Sequence, residues 1–179
     1  METQTNPWKS NLTNGVIYAL VGIVYSLVMY FLNLSLNKTQ GYVFILVQIG
    51  MLYFLLKSYR DNFMHGQITY GQSFGAGVIL SLYYSIIIAV FTYILFAVID
   101  PGLIAKQMAM TEEVMSKRGA PQAAIDAGMA MQAKLMKPAI IAPLSILSNM
   151  FWGVLLSLLI SIFIRKEGNP LIDATETQG

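Results

Sequence analysis

The side chains able to do chemistry are few and poorly grouped. In the segment 57–73, KSYRDNFMHGQITYGQS, Arg60 stands beside Asp61, and the single histidine of the chain, His65, precedes Gly66. An arginine offers a planar fork of donors that suits a phosphate or a carboxylate, although such a pair also serves to anchor a helix end in water. A lone histidine completes neither a metal site nor a nucleophile–base pair. Glu112 and Glu113 are adjacent, so a helix turns them to different faces and they make a poor acid/base couple. Gly75-Ala-Gly77 follows no strand and lacks the further glycine of a nucleotide-binding turn. Cysteine is absent, which excludes disulfides, thiolate metal sites and cysteine nucleophiles. Met108-Ala-Met110 and Met129-Ala-Met131 carry soft thioethers that could take Cu(I). With no cysteine or histidine beside them, packing of adaptable apolar surface is the expected use. These residues assign no catalytic, cofactor-binding or metal-binding position, and the expectation is a protein that is not an enzyme and uses no cofactor.

The elements that would position these groups are written in the hydropathy. Of 179 residues, 56% are apolar and 11% charged, against about 25% charged in soluble domains, and the mean hydropathy is +0.60. The net charge of +2 is too small to imply a polyanionic partner such as nucleic acid. A small integral membrane protein is what remains.

Uncharged runs long enough to cross a bilayer occur at 15–36, 39–56, 74–99 and 138–164, with no Asp, Glu, Lys or Arg in any of them. Intramembrane charge marks proton relays and coupling-ion sites, so a proton-coupled pump is not expected. The first run exceeds the 7–15 apolar residues of a signal peptide and lacks a small-x-small cleavage site, so it reads as a retained anchor. The last two runs would be about 40 Å long as helices against a hydrocarbon core of about 30 Å, so they should tilt or project. Four spans place residues 1–14 and the polar tail 165–179 on one side. Lys9, Lys57, Arg60, Arg165 and Lys166 flank spans there, against Lys38, Lys134 and Lys137 opposite, which favours cytoplasmic termini.

The loop 100–137 has its own organisation. Asp100-Pro101 is a helix-start signal, Gly119 a stop and Pro121 a second start. Ile104, Met108, Thr111 and Met115 fall on one face of the first helix, and Ile125, Met129, Gln132 and Met136 on one face of the second. The expected architecture is therefore an all-α integral membrane bundle of four transmembrane helices with an extramembrane helical hairpin between spans three and four. Within the spans, small residues recur every four positions: Ser73, Gly77, Ser81, Ser85 and Ala89 in the third, and Ser145, Asn149, Gly153, Ser157 and Ser161 in the fourth. Such faces let helices approach closely in lipid, so Gly77, Ser81, Asn149 and Gly153 are expected at helix–helix contacts. The alternative is a hydroxyl-lined pathway with Gln48 and Asn149 as its deepest polar groups.

Several short motifs run in order through nearly the whole chain: Trp8-Lys9-Ser10, Ser35-Leu36-Asn37-Lys38, Tyr59-Arg60-Asp61, Ile68-Thr69-Tyr70-Gly71-Gln72 and Ile99-Asp100-Pro101. In these the chain resembles the four-span bacterial membrane proteins called domain of unknown function 4199, and the stretch from Tyr59 to Gln72 is the most specific part. An Ala- and Met-rich 100–137 loop stands where the family pattern is richer in Glu and Gln. The resemblance implies a bacterial inner-membrane protein and supplies no activity, ligand or catalytic residue.

The functional expectation is an accessory or scaffold protein in the lipid bilayer that binds another membrane component, whether a membrane protein, a second copy of itself or a lipid surface. Two contact surfaces are expected, one at Tyr59, Arg60, Asp61, Tyr70 and Gln72, the other at Met108, Met115, Met129 and Met136. The competing readings are a small oligomeric transporter or channel, and a lipid-handling membrane enzyme.

Overall fold

The structure, a computed structural model, describes residues 6–35 and 37–166. Six α-helices follow one another: α1 Pro7–Phe31, α2 Lys38–Phe63, α3 Tyr70–Ile94, α4 Gly102–Lys117, α5 Gln122–Leu135 and α6 Pro138–Ile164, with a π-helical turn, Leu95–Ile99, continuing α3. Among the described residues the sole strand-like pairing is one isolated antiparallel bridge, Ile68 to Lys166.

Helix starts explain why the helices outrun the apolar runs. The Asn6 side chain accepts from the Trp8 amide at 3.0 Å and Pro7 occupies the first turn, so α1 begins eight residues before its apolar run at Gly15. Asn37 caps α2 through the Thr39 amide at 2.9 Å. Thr69 and Gln72 form a reciprocal capping box, with each side chain accepting from the other residue's backbone amide, and α3 therefore starts at Tyr70, not Phe74. Lys57, Arg60 and Asp61 do not stop α2, which runs on to Phe63 because charged residues are compatible with a helix leaving an apolar environment.

Among the described residues four stretches are long and apolar enough to cross a membrane: Pro7–Phe31, Thr39–Phe63, Tyr70–Ile99 and Pro138–Ile164. Their outward faces carry large exposed apolar side chains, Leu20, Leu46, Phe54, Val90, Leu147 and Phe163 among them. A soluble monomer does not tolerate so much contiguous apolar surface, and lipid is its natural solvent. The chain is an all-helical membrane protein.

The third helix is the hub. Its most extensive contact is with α6 and the next with α1. A methyl group on Gly77 would stand 2.5 Å from Ser157 Oγ, and one on Gly153 would overlap Ser81 Cβ and Oγ. Each glycine therefore receives a serine from the opposite helix. Ser81 Oγ donates back to the Gly77 carbonyl at 2.8 Å, and Ser157 Oγ to that of Gly153 at 2.6 Å, so neither hydroxyl is left unpaired in the dry contact. The two contacts fix an antiparallel register. One step of four residues along it sets Ser73 opposite Ser161, both fully buried, and Ser85 opposite Asn149. On the other flank of α3, Gly15 and Gly22 of α1 admit Tyr83 and Tyr84. The second helix joins through Gln48 Nε2, which donates to Tyr84 Oη at 2.9 Å, and through Leu52, Leu55 and Leu56 in the core.

Candidate binding site between the bundle and the α4–α5 pair

The pair α4–α5 is carried on the end of α3 by the π-helical turn. There the Asp100 amide bonds back five residues to the Leu95 carbonyl at 2.9 Å, and the extra residue turns the chain out of the α3 direction. Asp100 then organises the junction. Its Oδ1 accepts from the Gly102 amide at 3.0 Å, opening α4, while Oδ2 accepts from Tyr30 Oη of α1 and from Lys106 Nζ, each at 3.4 Å. The fourth helix ends at Gly119, whose φ of +73° is a left-handed conformation suited to glycine, and Pro121 precedes α5.

The two helices touch along the stripes named above. Met115 packs at the flank of Gly128 of α5, its Cε 3.3 Å from where a methyl group would stand. Thr111 Oγ1 donates to the Gln107 carbonyl at 2.9 Å and accepts from Gln132 Nε2 at 3.4 Å. Met108, Met115, Met129 and Met136 are all half-buried, and the exposed methionines of the pair are Met110 and Met131. Of the two stripes, Thr111, Met115, Gln132 and Met136 border the space between the pair and the bundle.

That space is not filled. A cavity of about 570 Å³ lies between the α1–α2 connection and α4, bounded by Ser35, Asn37, Gln40, Thr111, Met115 and Arg118. A second, of about 450 Å³, lies between α5 and α6 and is bounded by Phe96, Leu135, Ile141, Leu144, Ser148 and Asn149. A third, of about 150 Å³, reaches in past Ser26, Met29 and Leu103. Gln107 lines all three, and Met136 the first two. The first two volumes fall in the range of ligand sites. Their walls are apolar with neutral hydroxyls and carboxamides, and among the described residues Arg118 is the one charged side chain that lines them. Among the described residues no carboxylate or histidine lines any of the three, and those residues offer no general acid/base pair there. Among the described residues, no three His, Cys, Asp or Glu side chains are grouped as a metal site would need.

The segment Tyr59–Gln72 lies at the opposite end of the bundle and is engaged within the chain. Tyr59 is buried. Arg60 Nε donates to Asp61 Oδ1 at 2.7 Å, and its Nη1 donates to the Ile164 carbonyl at 3.3 Å, at the end of α6. Tyr70 Oη donates to the Leu158 carbonyl at 3.2 Å. Gln72 serves in the capping box. Ile68 exchanges backbone bonds of 2.8 and 2.9 Å with Lys166. His65, at φ +52°, helps close α2 and is exposed. These groups form a clasp that binds the α2–α3 connection to the end of α6.

The structure therefore separates the residues singled out in the sequence into three places. Gly77, Ser81 and Gly153 are brought together with Ser157. The Tyr59–Gln72 group sits in the clasp. Met115 and Met136 border the cavities, where Asn149 also lies. Sequence reasoning missed Gln107, Gln40, Ser35, Phe96 and Arg118. A signal existed for their neighbourhood, since Thr111 and Gln132 are polar residues lying on otherwise apolar stripes, which is how a wall facing polar space reads.

Comparison with known proteins gives no match to any curated protein or any solved structure. The family model described as protein of unknown function DUF4199 matches residues 13–166, a stretch that holds both the clasp and all three cavities, and the chain belongs to that family.

Proposed function

We propose that this protein acts by holding another membrane component in the cavities beneath α4–α5, without turning it over. The α4–α5 pair stands outside the bilayer on the extracytoplasmic side of a bacterial inner membrane, and both termini are cytoplasmic. The observation that carries this reading is the convergence of three cavities on Gln107, whose walls among the described residues are neutral polar and apolar groups with the single cation Arg118 and no carboxylate or histidine. Such walls bind and orient; they move no protons. The clasp end supports the same reading, because its polar groups are already bonded to the protein itself and offer little to a partner.

The test is retention of the component. Purified in mild detergent and analysed by native mass spectrometry, the intact chain should carry a bound molecule. Gln107→Trp, which fills the meeting point of the cavities, should lose it while retaining the helical spectrum. The reading is overturned if nothing is retained, or if the protein in liposomes shows saturable solute flux that Gln107→Trp leaves intact. Flux of that kind would favour a transporter and turn attention to Gln48 and Asn149.

A further inference from the structure

We infer that the bound component is an anionic lipid, seated with its headgroup against Arg118 and one acyl chain between α5 and α6. This rests on the reading above and names its ligand class. The two large cavities differ in character while sharing Gln107 and Met136 as a common wall. The first contains Arg118, which has no ion-pair partner among the described residues, together with the neutral hydrogen-bonding groups of Ser35, Asn37, Gln40 and Thr111. A guanidinium among neutral hydrogen-bonding groups, with no carboxylate among the described residues of the walls, recognises a phosphate or carboxylate.

The second cavity is mainly apolar, and it opens sideways. Leu144 on its rim is 54% exposed and Ser148 is exposed too, so the groove faces the surroundings of the bundle as well as its interior. It ends at Asn149. That residue lies eleven positions into α6, or about 16 Å along a helix rising 1.5 Å per residue, which is close to half the thickness of a hydrocarbon core of about 30 Å. Two adjoining cavities, one beside a cation and the other reaching toward mid-depth along an outward helix face, together have the polarity of a lipid. A soluble anion would fill the first cavity alone, and a hydrocarbon the second alone.

The experiment uses the intact chain, delipidated in detergent and titrated by native mass spectrometry with phosphatidylglycerol and with phosphatidylcholine of the same acyl chains. Phosphatidylglycerol should bind about fivefold or more tightly, the scale of one partly screened charge-assisted hydrogen bond. Arg118→Gln should abolish that preference, weakening phosphatidylglycerol far more than phosphatidylcholine, whose phosphate is already offset by its own choline, while Arg118→Lys should keep most of it. A phosphatidylglycerol carrying a diazirine on its acyl chain should cross-link within 141–149, and glycerol phosphate should not displace it. Equal binding of the two lipids that Arg118→Gln does not alter would overturn the anionic assignment and leave the cavity reading standing. Displacement by glycerol phosphate, or cross-links scattered over all four spans, would overturn the acyl-chain seat. Failure to bind either lipid would overturn the lipid assignment, while the cavity reading is decided separately by what the intact chain retains and Gln107→Trp releases.

Discussion

The α3–α6 seam and the α4–α5 pair both set neutral polar groups on apolar helix faces, yet one is closed and the other holds open space. At the centre of the seam the polar groups serve the packing. Ser81 and Ser157 bond back to carbonyls of their own helices and fill the notches left by Gly153 and Gly77. In the pair, by contrast, Thr111, Gln132 and Gln107 bond partly to one another and partly face the cavities. The difference lies in side-chain length. Gly and Ser allow helix backbones to meet with nothing between them, whereas Met, Gln and Leu hold helices apart on long, adjustable chains. Closed regions of this kind fix the fold, and open ones are where a ligand is accommodated.

The largest expected effect breaks the closed side of this comparison. Gly77→Ala and Gly153→Ala each place a methyl group on a serine held rigidly by its own helix. By analogy with overpacked cores each should cost about 1–3 kcal/mol, read as a lowered thermal midpoint in detergent. The control is Gly50→Ala in α2, where nothing stands within 4 Å. There the better helix propensity of alanine should stabilise by about 0.5–1 kcal/mol. A seam in which both substitutions are silent would not be a packing face.

Arg60→Met tests whether the clasp belongs to the closed region. The substitution removes the hydrogen bonds to Asp61 and to the Ile164 carbonyl from a side chain 17% exposed. The expected cost is about 1–2 kcal/mol for hydrogen bonds made by a charged donor, with no change in the lipid retained. Loss of the lipid at unchanged stability would instead make this end a ligand-binding surface.

How much of this could be read from the sequence follows from the same contrast. The four long helices are legible because unbroken apolar runs are a local property, and the seam residues are legible because a four-residue repeat of small side chains is local too. The start of α3 was also legible in principle: Thr69-Tyr70-Gly71-Gln72 is a capping box in sequence, and hydropathy alone placed that boundary four residues late. The role of Arg60 was hidden, since its acceptor is a carbonyl 104 residues away. Hidden for the same reason were the cavities, which need the α1–α2 connection, α4, α5 and α6 to come together around Gln107. The π-helical turn at Leu95–Ile99, which sets the direction of α4, has no composition of its own; LFAVI reads as more of the same apolar helix.

A smaller effect probes the open side. Gly128→Ala in α5 brings a methyl group to 3.3 Å from Met115 Cε, the far end of a flexible side chain that can turn aside. Here the gain in helix propensity, about 0.5–1 kcal/mol, and the cost of moving the thioether oppose each other. The net shift in thermal midpoint should be close to zero, well below that of Gly77→Ala, although the same substitution is made in both. A loss as large as that in the seam would mean that the pair is as tightly packed as the bundle.

The smallest effect lies on the outer face of α4. Lys117 beside Glu113, one helical turn apart, holds that carboxyl below its ordinary range by hydrogen bond and charge, and both side chains are largely exposed. The sign follows from linkage. A carboxyl whose folded value is depressed contributes its stabilisation above the unfolded value and loses it as the pH falls through the folded one. Exposed pairs of this kind are screened by water and salt, so Glu113→Gln should leave the thermal midpoint at neutral pH unresolved from wild type. It should also leave lipid retention intact, because Glu113 lines none of the cavities. If Glu113→Gln altered the preference for an anionic headgroup as strongly as Arg118→Gln, the discrimination would arise from the overall charge of the α4 surface and not from the guanidinium at the cavity wall. Repeating the titration at raised salt separates the two, since a long-range surface field fades with ionic strength faster than a direct contact in a partly enclosed cavity.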